Sequence, residues 1–205
     1  MKLIGSLLII FGLVIILLIF APVLKQEIRY QTSNLEGIKY VLEDTPESLT
    51  KNVRIITPVN KDFGMVIPKI NVNARIFPEI DPANPAEYLP ILKKGVAQAK
   101  GSAYPGQEGN LFLFAHSTDA FYNVTTYNAV FFLIGKLNSD DEIDIFYKNQ
   151  KYQYHVVDKA VVAPEGLSSY VKERAVTGET LTLQTCYPPG TTLKRLIVIA
   201  RLTML

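Results

Sequence analysis

Cysteine, histidine and tryptophan are nearly absent from this sequence. Its 205 residues include one cysteine, Cys186, two histidines and no tryptophan. A single cysteine excludes a disulfide bond within the chain, and so few Cys and His side chains leave a metal cluster short of ligands. We therefore expect no metal and no cofactor, and the thiol is interpreted as either packing or a nucleophile.

An excess of charge of one sign is also lacking. Lysine and arginine total 21 against 19 aspartate and glutamate residues, without a long run of like charges. Proteins that bind nucleic acid usually carry a basic patch or stripe. We expect no nucleic-acid partner, and the length fits one domain with accessory segments.

Charged residues are missing altogether from Leu3 to Leu24. As a helix this run would be roughly 33 Å long, against about 30 Å for the hydrocarbon core of a bilayer. The apolar region of a cleaved signal peptide is shorter, about 7 to 15 residues. The sequence favours an uncleaved membrane anchor over residues 1–24, with a signal peptide as the alternative, and positive charges on both sides leave its orientation open.

The next residues, 25–60, mix charges of both signs with Gly37, Pro46 and Pro58. This composition is typical of a linker, because Gly and Pro interrupt regular structure. We predict a stalk here, with one short helix near Ile28 to Leu42.

From residue 61 onward the sequence consists of short runs of strand-forming residues separated by turn residues. The runs IDIFY and YQYHVVD flank residues 148–151, which predicts a hairpin, while Pro85 to Lys94 and Thr126 to Ile134 have the length of short helices. Closure into a barrel removes the exposed edges that so many short strands would present. We predict a mainly β domain over residues 61–205, a closed or nearly closed barrel with helical insertions.

Three residues at predicted strand ends could carry out covalent chemistry together: Cys186, His116 and Arg195. Alternation along TLTLQTC points Cys186 away from the face of Leu181 and Leu183. A free thiol with a pKa of about 8.5 is mostly protonated at neutral pH, so a nucleophilic role requires a base or cation nearby. His116 could move protons, and Arg195 could hold a carbonyl or stabilise an oxyanion.

Each of these residues also has a plain structural interpretation. Cys186 could be packing, His116 a surface residue at a strand end, and Arg195 a charge that deters edge pairing. The other histidine, His155, alternates within a predicted strand and is interpreted as solvent-facing. A tyrosine-phosphatase loop is excluded, because eight residues, two of them prolines without an N–H, separate Cys186 from Arg195.

The ending TLQTCYPPGTTLKRLIVIARL resembles the TLxTC signature of the sortase family with its downstream arginine. The segment GNLFLFAHS resembles the one that carries the family's histidine, and VIPKINVNARIF is similar to the first barrel strands. The resemblance covers residues 63–205 in the family's order. It implies a closed eight-stranded sortase-type barrel, a single-pass anchor in the cell membrane and an extracytoplasmic catalytic domain.

Carried over to this chain, the resemblance implies a cysteine transpeptidase. Cys186 would form a thioacyl intermediate with an LPxTG- or LAxTG-like sorting signal, His116 would be the acid/base, and Arg195 would bind the carbonyl and stabilise the oxyanion. Thr185 would help to shape the groove, with Ala115 as a second substrate-binding residue. The implied partners are the sorting signal, an amine acceptor of the cell wall or a pilin lysine, and the membrane through the N-terminal helix.

Two other functions stay open at this stage. A non-catalytic, membrane-anchored barrel that binds peptides or supports assembly would use Cys186 as packing. A plain cysteine peptidase would let water resolve the thioester. The acidic residues Asp140, Asp141, Glu142 and Asp144 are interpreted as turn and strand-start residues rather than calcium ligands, because they lack a recognisable calcium-loop spacing.

Overall fold

Eight strands close into a single barrel, as the resemblance implied. The computed structural model describes residues 2–42, 52–117, 129–175 and 178–203. In these ranges the helices and strands are, in chain order, α1 (Lys2–Leu35), β1 (Lys39–Leu42), β2 (Val53–Ile56), β3 (Phe63–Ile67), β4 (Val72–Ile80), α2 (Pro85–Leu92), β5 (Val96–Ala99), β6 (Gly109–Phe114), β7 (Glu142–Tyr147), β8 (Gln150–Val162), α3 (Leu167–Arg174), β9 (Glu179–Tyr187) and β10 (Lys194–Leu202).

The barrel strands follow the order β10-β8-β7-β3-β4-β5-β6-β9, and β9 closes the ring against β10. Two neighbouring pairs, β4 with β5 and β6 with β9, run parallel, and the other pairs are antiparallel. The C-terminal ends of β6 and β9 therefore meet the N-terminal end of β10 at one rim, which we call the upper rim.

The N-terminal helix extends past the end predicted for the anchor. It continues from the apolar run through Lys25, Glu27 and Arg29 to Leu35, because lysine, glutamate and arginine are good helix formers. Within the described ranges, no helix has both the length and the apolar character needed to cross a membrane. The predicted membrane-spanning helix over residues 1–24 is thus not supported, and the domain boundaries at residues 24 and 60 stay predictions.

The helix predicted near Ile28 to Leu42 is wrong in its second half. Gly37 adopts a φ of 63°, and Ile38 N–H donates to Ser33 O at 2.9 Å, which is a Schellman ending after Leu35. The chain then forms β1, which pairs in parallel with β2 as a separate two-stranded sheet.

Two of the predicted elements in the barrel domain are confirmed. The predicted helix starting at Pro85 is α2. The predicted hairpin joins β7 to β8, through a tight turn in which Lys148 and Asn149 have φ values of 49° and 63°. Two successive positive φ values are typical of the type I′ turn that matches the twist of paired strands.

The helix predicted over Thr126 to Ile134 is wrong where the structure describes it. Residues 126–128 lie outside the described residues. Residues 130–133 form turns, and a single 3-10 turn spans Ile134–Lys136. Phe131 and Ile134 are fully buried in the barrel core, so packing rather than helical periodicity decides the path of this segment.

Alternate residues of each strand fill the barrel interior. Leu181 and Leu183 of β9 and Leu196 and Val198 of β10 belong to one buried core. The residues between them point to the outer surface of the barrel, since side chains alternate along a strand. As predicted, Cys186 lies on the face opposite to the leucines of its own strand.

The small sheet of β1 and β2 packs on the outer surface of β3 and β7. Its residues Leu42 and Ile56 form a buried cluster with Val66 and Phe146. Asp144, two residues before Phe146 on the same face of β7, is only 2% exposed. Lys151 Nζ lies 3.7 Å from its Oδ1, and this oxygen has no hydrogen bond among the described residues. Burial therefore raises the pKa of Asp144 to about 6.

We expect Asp144→Asn to stabilise the protein at neutral pH. In the folded protein the pKa of Asp144 lies above the usual 3.8, so folding favours the protonated carboxyl. The stability that the protonated carboxyl contributes is complete below about pH 4 and is lost as the pH rises through 6. The free energy of unfolding of the variant should exceed that of the wild type by about 1 to 3 kcal/mol at pH 7 and match it below about pH 4. Urea unfolding between pH 4 and 8 measures this, and a difference that does not change with pH would contradict it.

Candidate active site

Cys186 and Arg195 lie directly opposite each other on neighbouring strands. Strands β9 and β10 are antiparallel, and their register pairs these two residues. Side chains of directly opposed residues point to the same face, with Cβ atoms about 4.5 to 5.5 Å apart. Both residues are half-buried at the upper rim. The strand order therefore brings the thiol and the cation together.

His116 lies on the other side of Cys186. Strand β6 runs parallel to β9, and their last registered pair is Phe114 with Gln184. If this register is extended by two residues, His116 lies beside Cys186, and the two backbones are separated by the usual distance of about 4.8 Å between neighbouring strands. His116 is half-buried.

Two hydrogen bonds show that β6 and β9 stay together beyond the last registered pair. Ala115 N–H donates to Gln184 O at 3.2 Å. The Thr185 hydroxyl donates to Ala115 O at 2.9 Å, and this bond is buried. The backbone just before His116 is thus attached to the backbone just before the thiol.

The three side chains share the outer face of the barrel. Leu113 and Ala115 of the β6 segment belong to the interior core, so Phe114 and His116 point outward. The β9 and β10 residues that alternate with their interior leucines point outward as well. Around the barrel, His116, Cys186 and Arg195 therefore follow one another across three adjacent strands on one surface.

The Arg195 guanidinium is held at the rim by backbone carbonyls. Its Nη1 donates to Thr192 O at 2.9 Å and to Lys194 O at 3.1 Å. A guanidinium carries five N–H donors in a planar fork, and these two bonds use Nη1 alone. The fork is thereby oriented, and its other nitrogens can serve a carbonyl or an oxyanion next to the thiol.

Thr185 and Ala115, predicted to bind substrate, have their side chains on the interior face. Both are buried, Thr185 with 1% of its surface exposed. Their arrangement holds the two strand ends together, so any effect on a bound peptide would pass through the backbone. Their role in substrate binding stays a prediction.

The remaining candidates lie away from the thiol. His155 Nδ1 is 3.2 Å from Asp140 O on the neighbouring turn. Asp141 accepts hydrogen bonds from Lys69 Nζ at 2.7 Å and from Asn138 N–H at 2.5 Å, so it stabilises a turn. Among the residues that the structure describes, no group of three or more His, Cys, Asp or Glu side chains could hold a metal ion.

Sequence reasoning missed the segment that supports His116. Phe131 N–H donates to His116 O at 3.2 Å, although the two residues are separated by a long connection. Phe131 is fully buried in the core. The sequence signal for this role is weak, because an apolar FFLI run is equally consistent with a helix.

Comparisons with known proteins identify the family of this barrel. A family model of the Sortase domain matches residues 65–203. Sortase D of Bacillus subtilis (strain 168) is 28% identical over 138 residues, which are 66% of this chain and 60% of the length of that protein.

Solved structures show the same similarity. Sortase C-1 from Actinomyces oris has a TM-score of 0.55 and 26% identity, over 72% of this chain and 76% of that chain. A Sortase D5 transpeptidase from Clostridium perfringens has a TM-score of 0.53 and 26% identity, over 73% and 82% of the two chains. The chain belongs to the sortase family, whose members are generally cysteine transpeptidases.

We expect Thr185→Val to lower the free energy of unfolding by about 1 kcal/mol, because it keeps the side-chain volume but removes the hydrogen bond to Ala115 O. The chain has only two histidines, so their imidazole signals can be followed individually by NMR. The signals of His116 should shift in this variant.

Thr182→Val is the matched control for this experiment. It removes an equally buried hydroxyl from the same strand, one that donates to the Asn110 side chain at 2.9 Å. We expect a similar loss of stability without a change at His116. Equal shifts of the His116 signals in both variants would contradict the role assigned to Thr185.

Proposed function

We propose that this chain is a cysteine transpeptidase acting on sorting-signal peptides. The observation that carries the proposal is the position of Cys186 between its register partner Arg195 and, on the extended register, His116. Membership in the sortase family supports the class of reaction. A half-buried thiol at a strand end also suits a nucleophile better than packing, which argues against a non-catalytic barrel.

In the first half of the reaction, the Cys186 thiolate attacks the carbonyl carbon of a peptide bond. Arg195 donates hydrogen bonds to the carbonyl oxygen, which gains negative charge in the tetrahedral state. The C–N bond breaks as His116 gives a proton to the leaving amine. The products are a thioester on Cys186 and the released C-terminal part of the peptide.

In the second half, an amine resolves the thioester. His116, now neutral, takes a proton from the incoming amine as its nitrogen attacks the thioester carbonyl. The C–S bond breaks, the thiolate is regenerated and a new amide forms. Water would give hydrolysis instead, so the acceptor must be held close to the thioester to compete.

We propose an LPxTG- or LAxTG-like signal as substrate, and a cell-wall amine or a pilin lysine as acceptor. This follows from the resemblance in the TLxTC segment. Two large side chains beside the site are consistent with an apolar peptide: Tyr187 is 39% exposed and Leu193 is 71% exposed. They flank the loop of residues 188–192 that joins β9 to β10.

We further propose that the barrel works outside the cytoplasm at the cell membrane, because sorting signals belong to surface proteins. Protease added to intact cells that produce the chain should then digest the barrel. Digestion only after the cells are opened would contradict this location.

Substitutions at the three active-site residues should separate catalysis from folding. With the purified full-length chain, we expect Cys186→Ala to abolish turnover of a sorting-signal peptide. His116→Ala and Arg195→Ala should lower kcat/KM by about 10²- to 10³-fold or more, because each removes an interaction made in the transition state. Mass spectrometry follows the peptide products and the thioacyl adduct on Cys186.

The chain offers matched controls for both residue types. His155→Ala changes the other histidine, and Arg201→Ala changes an exposed arginine at the far end of β10. Both should keep kcat/KM within about 2-fold of the wild type. If no thioacyl adduct forms with any signal peptide, the proposed function is wrong. If hydroxylamine, glycine peptides and lysine side chains never capture the acyl group, the enzyme is a plain cysteine peptidase.

A further inference from the structure

A short segment closes the upper rim and is bonded to the backbone of His116. We call residues 129–137 the plug. Phe131, Ile134 and Leu137 of the plug are fully buried in the barrel core. Phe131 N–H donates to His116 O at 3.2 Å. A contact that holds the plug in position therefore also holds the main chain at His116.

Lys159 of β8 binds the end of the plug. Its Nζ donates to Gly135 O at 2.7 Å and to Leu137 O at 2.6 Å. These carbonyls lie at the end of the 3-10 turn Ile134–Lys136, and the last carbonyls of a helical turn have no partner within the turn. Hydrogen bonds from a charged donor are roughly twice as strong as neutral ones. One ammonium group thus holds both carbonyls in place.

A β-bulge explains why Lys159 points toward the plug. The register of β8 with β10 shifts at Val157, which has no partner on β10. Val156 faces the interior, so strict alternation would turn Asp158 inward and Lys159 outward. The extra residue reverses this, and Lys159 lies opposite Val198, an interior residue. Bulges commonly redirect a side chain in this way.

Contacts of Asp158 on the outer face of β8 stabilise the orientation that the bulge gives to Asp158 and Lys159. The Tyr170 hydroxyl donates to Asp158 Oδ2 at 2.7 Å, and Arg174 Nε lies 3.0 Å from the same oxygen. Tyr170 and Arg174 belong to α3, which lies outside the barrel. Two consecutive residues therefore anchor an outer helix and the plug on opposite faces of one strand.

A second cationic contact, between the plug and α1, holds the plug from outside the barrel. Lys136 Nζ lies 2.8 Å from Glu27 Oε1 of α1 and 5.6 Å from the centre of the Tyr30 ring. Both charged side chains are more than one third exposed. Exposed ion pairs contribute little to stability, because water and salt screen them. Lys159 is exposed as well, but both of its hydrogen bonds go to backbone carbonyls of the plug itself.

We infer that Lys159 is a positioning residue, which fixes the plug and thereby sets the place of the His116 side chain relative to Cys186. Lys159 itself touches neither the thiol nor the bound peptide in this account. It acts through Gly135 and Leu137, along the plug to Phe131, and across one hydrogen bond to His116. The expected effect of Lys159 on kcat rests on the proposed function. Its expected effect on the position of His116 does not.

The test compares Lys159→Met with Lys159→Arg in the full-length chain. Met keeps an unbranched side chain without donors, whereas Arg restores donors and charge. For peptide cleavage we expect Lys159→Met to lower kcat about 10- to 100-fold with KM within about 3-fold, since small misplacements of a catalytic group have effects of this size. Lys159→Arg should recover kcat to within about 3-fold.

A second readout does not depend on turnover. The imidazole signals of His116 and His155 can be assigned with a His155→Gln variant, because they are the two histidines of the chain. In Lys159→Met the His116 signals should shift, and those of His155 should not. Lys61→Met, which changes an exposed lysine just before β3, is the matched control and should leave both histidines and kcat unchanged.

The outcomes are separable. If the wild type turns over no peptide, the proposed function fails and the NMR comparison alone decides the inference. Unchanged His116 signals in a folded Lys159→Met protein would overturn it, as would equal effects of Lys61→Met. Failure of Lys159→Arg to restore kcat would also overturn it. If Lys159→Met does not fold, Lys159→Gln replaces it, with the same expectations.

Discussion

The site depends on the pairing of β9 with two different neighbours. Strand β6 runs parallel to β9 and strand β10 runs antiparallel, so the ends that carry His116, Cys186 and Arg195 all reach the upper rim. A shift of one residue in either register would turn a side chain to the other face of the barrel. The buried bond from Thr185 to Ala115 and the interior leucines of β9 stabilise the register. Strand pairing thus sets the positions of these three residues at the rim.

The parts of this arrangement that depend on short stretches of sequence could be predicted. Alternation in TLTLQTC gives the face of Cys186, and the strand-forming runs give a closed barrel. The place of His116 at a predicted strand end makes it a candidate, and the resemblance to sortases assigns it the role of acid/base. The tight turn at Lys148 and Asn149 follows from the same local signals.

The remaining features arise from contacts between distant segments. The bulge at Val157 is a property of the pairing between β8 and β10, and nothing in QKYQYHVVDKAVV marks it. For that reason neither the direction of Lys159 nor the path of the plug could be read from the sequence. The burial of Asp144 likewise involves a small sheet whose strands lie in the predicted stalk. Thr185 turned out to join two strand ends from inside the barrel, because alternation points it away from Cys186.

The central claim is that His116 lies beside Cys186 and acts on it. Cys186 is the only cysteine, so the rate of its alkylation by iodoacetamide can be measured against pH without ambiguity. We predict that His116→Ala changes this pH profile, because an imidazole beside the thiol can accept its proton, while His155→Ala leaves it unchanged. Superimposable profiles for the wild type and His116→Ala would contradict the account.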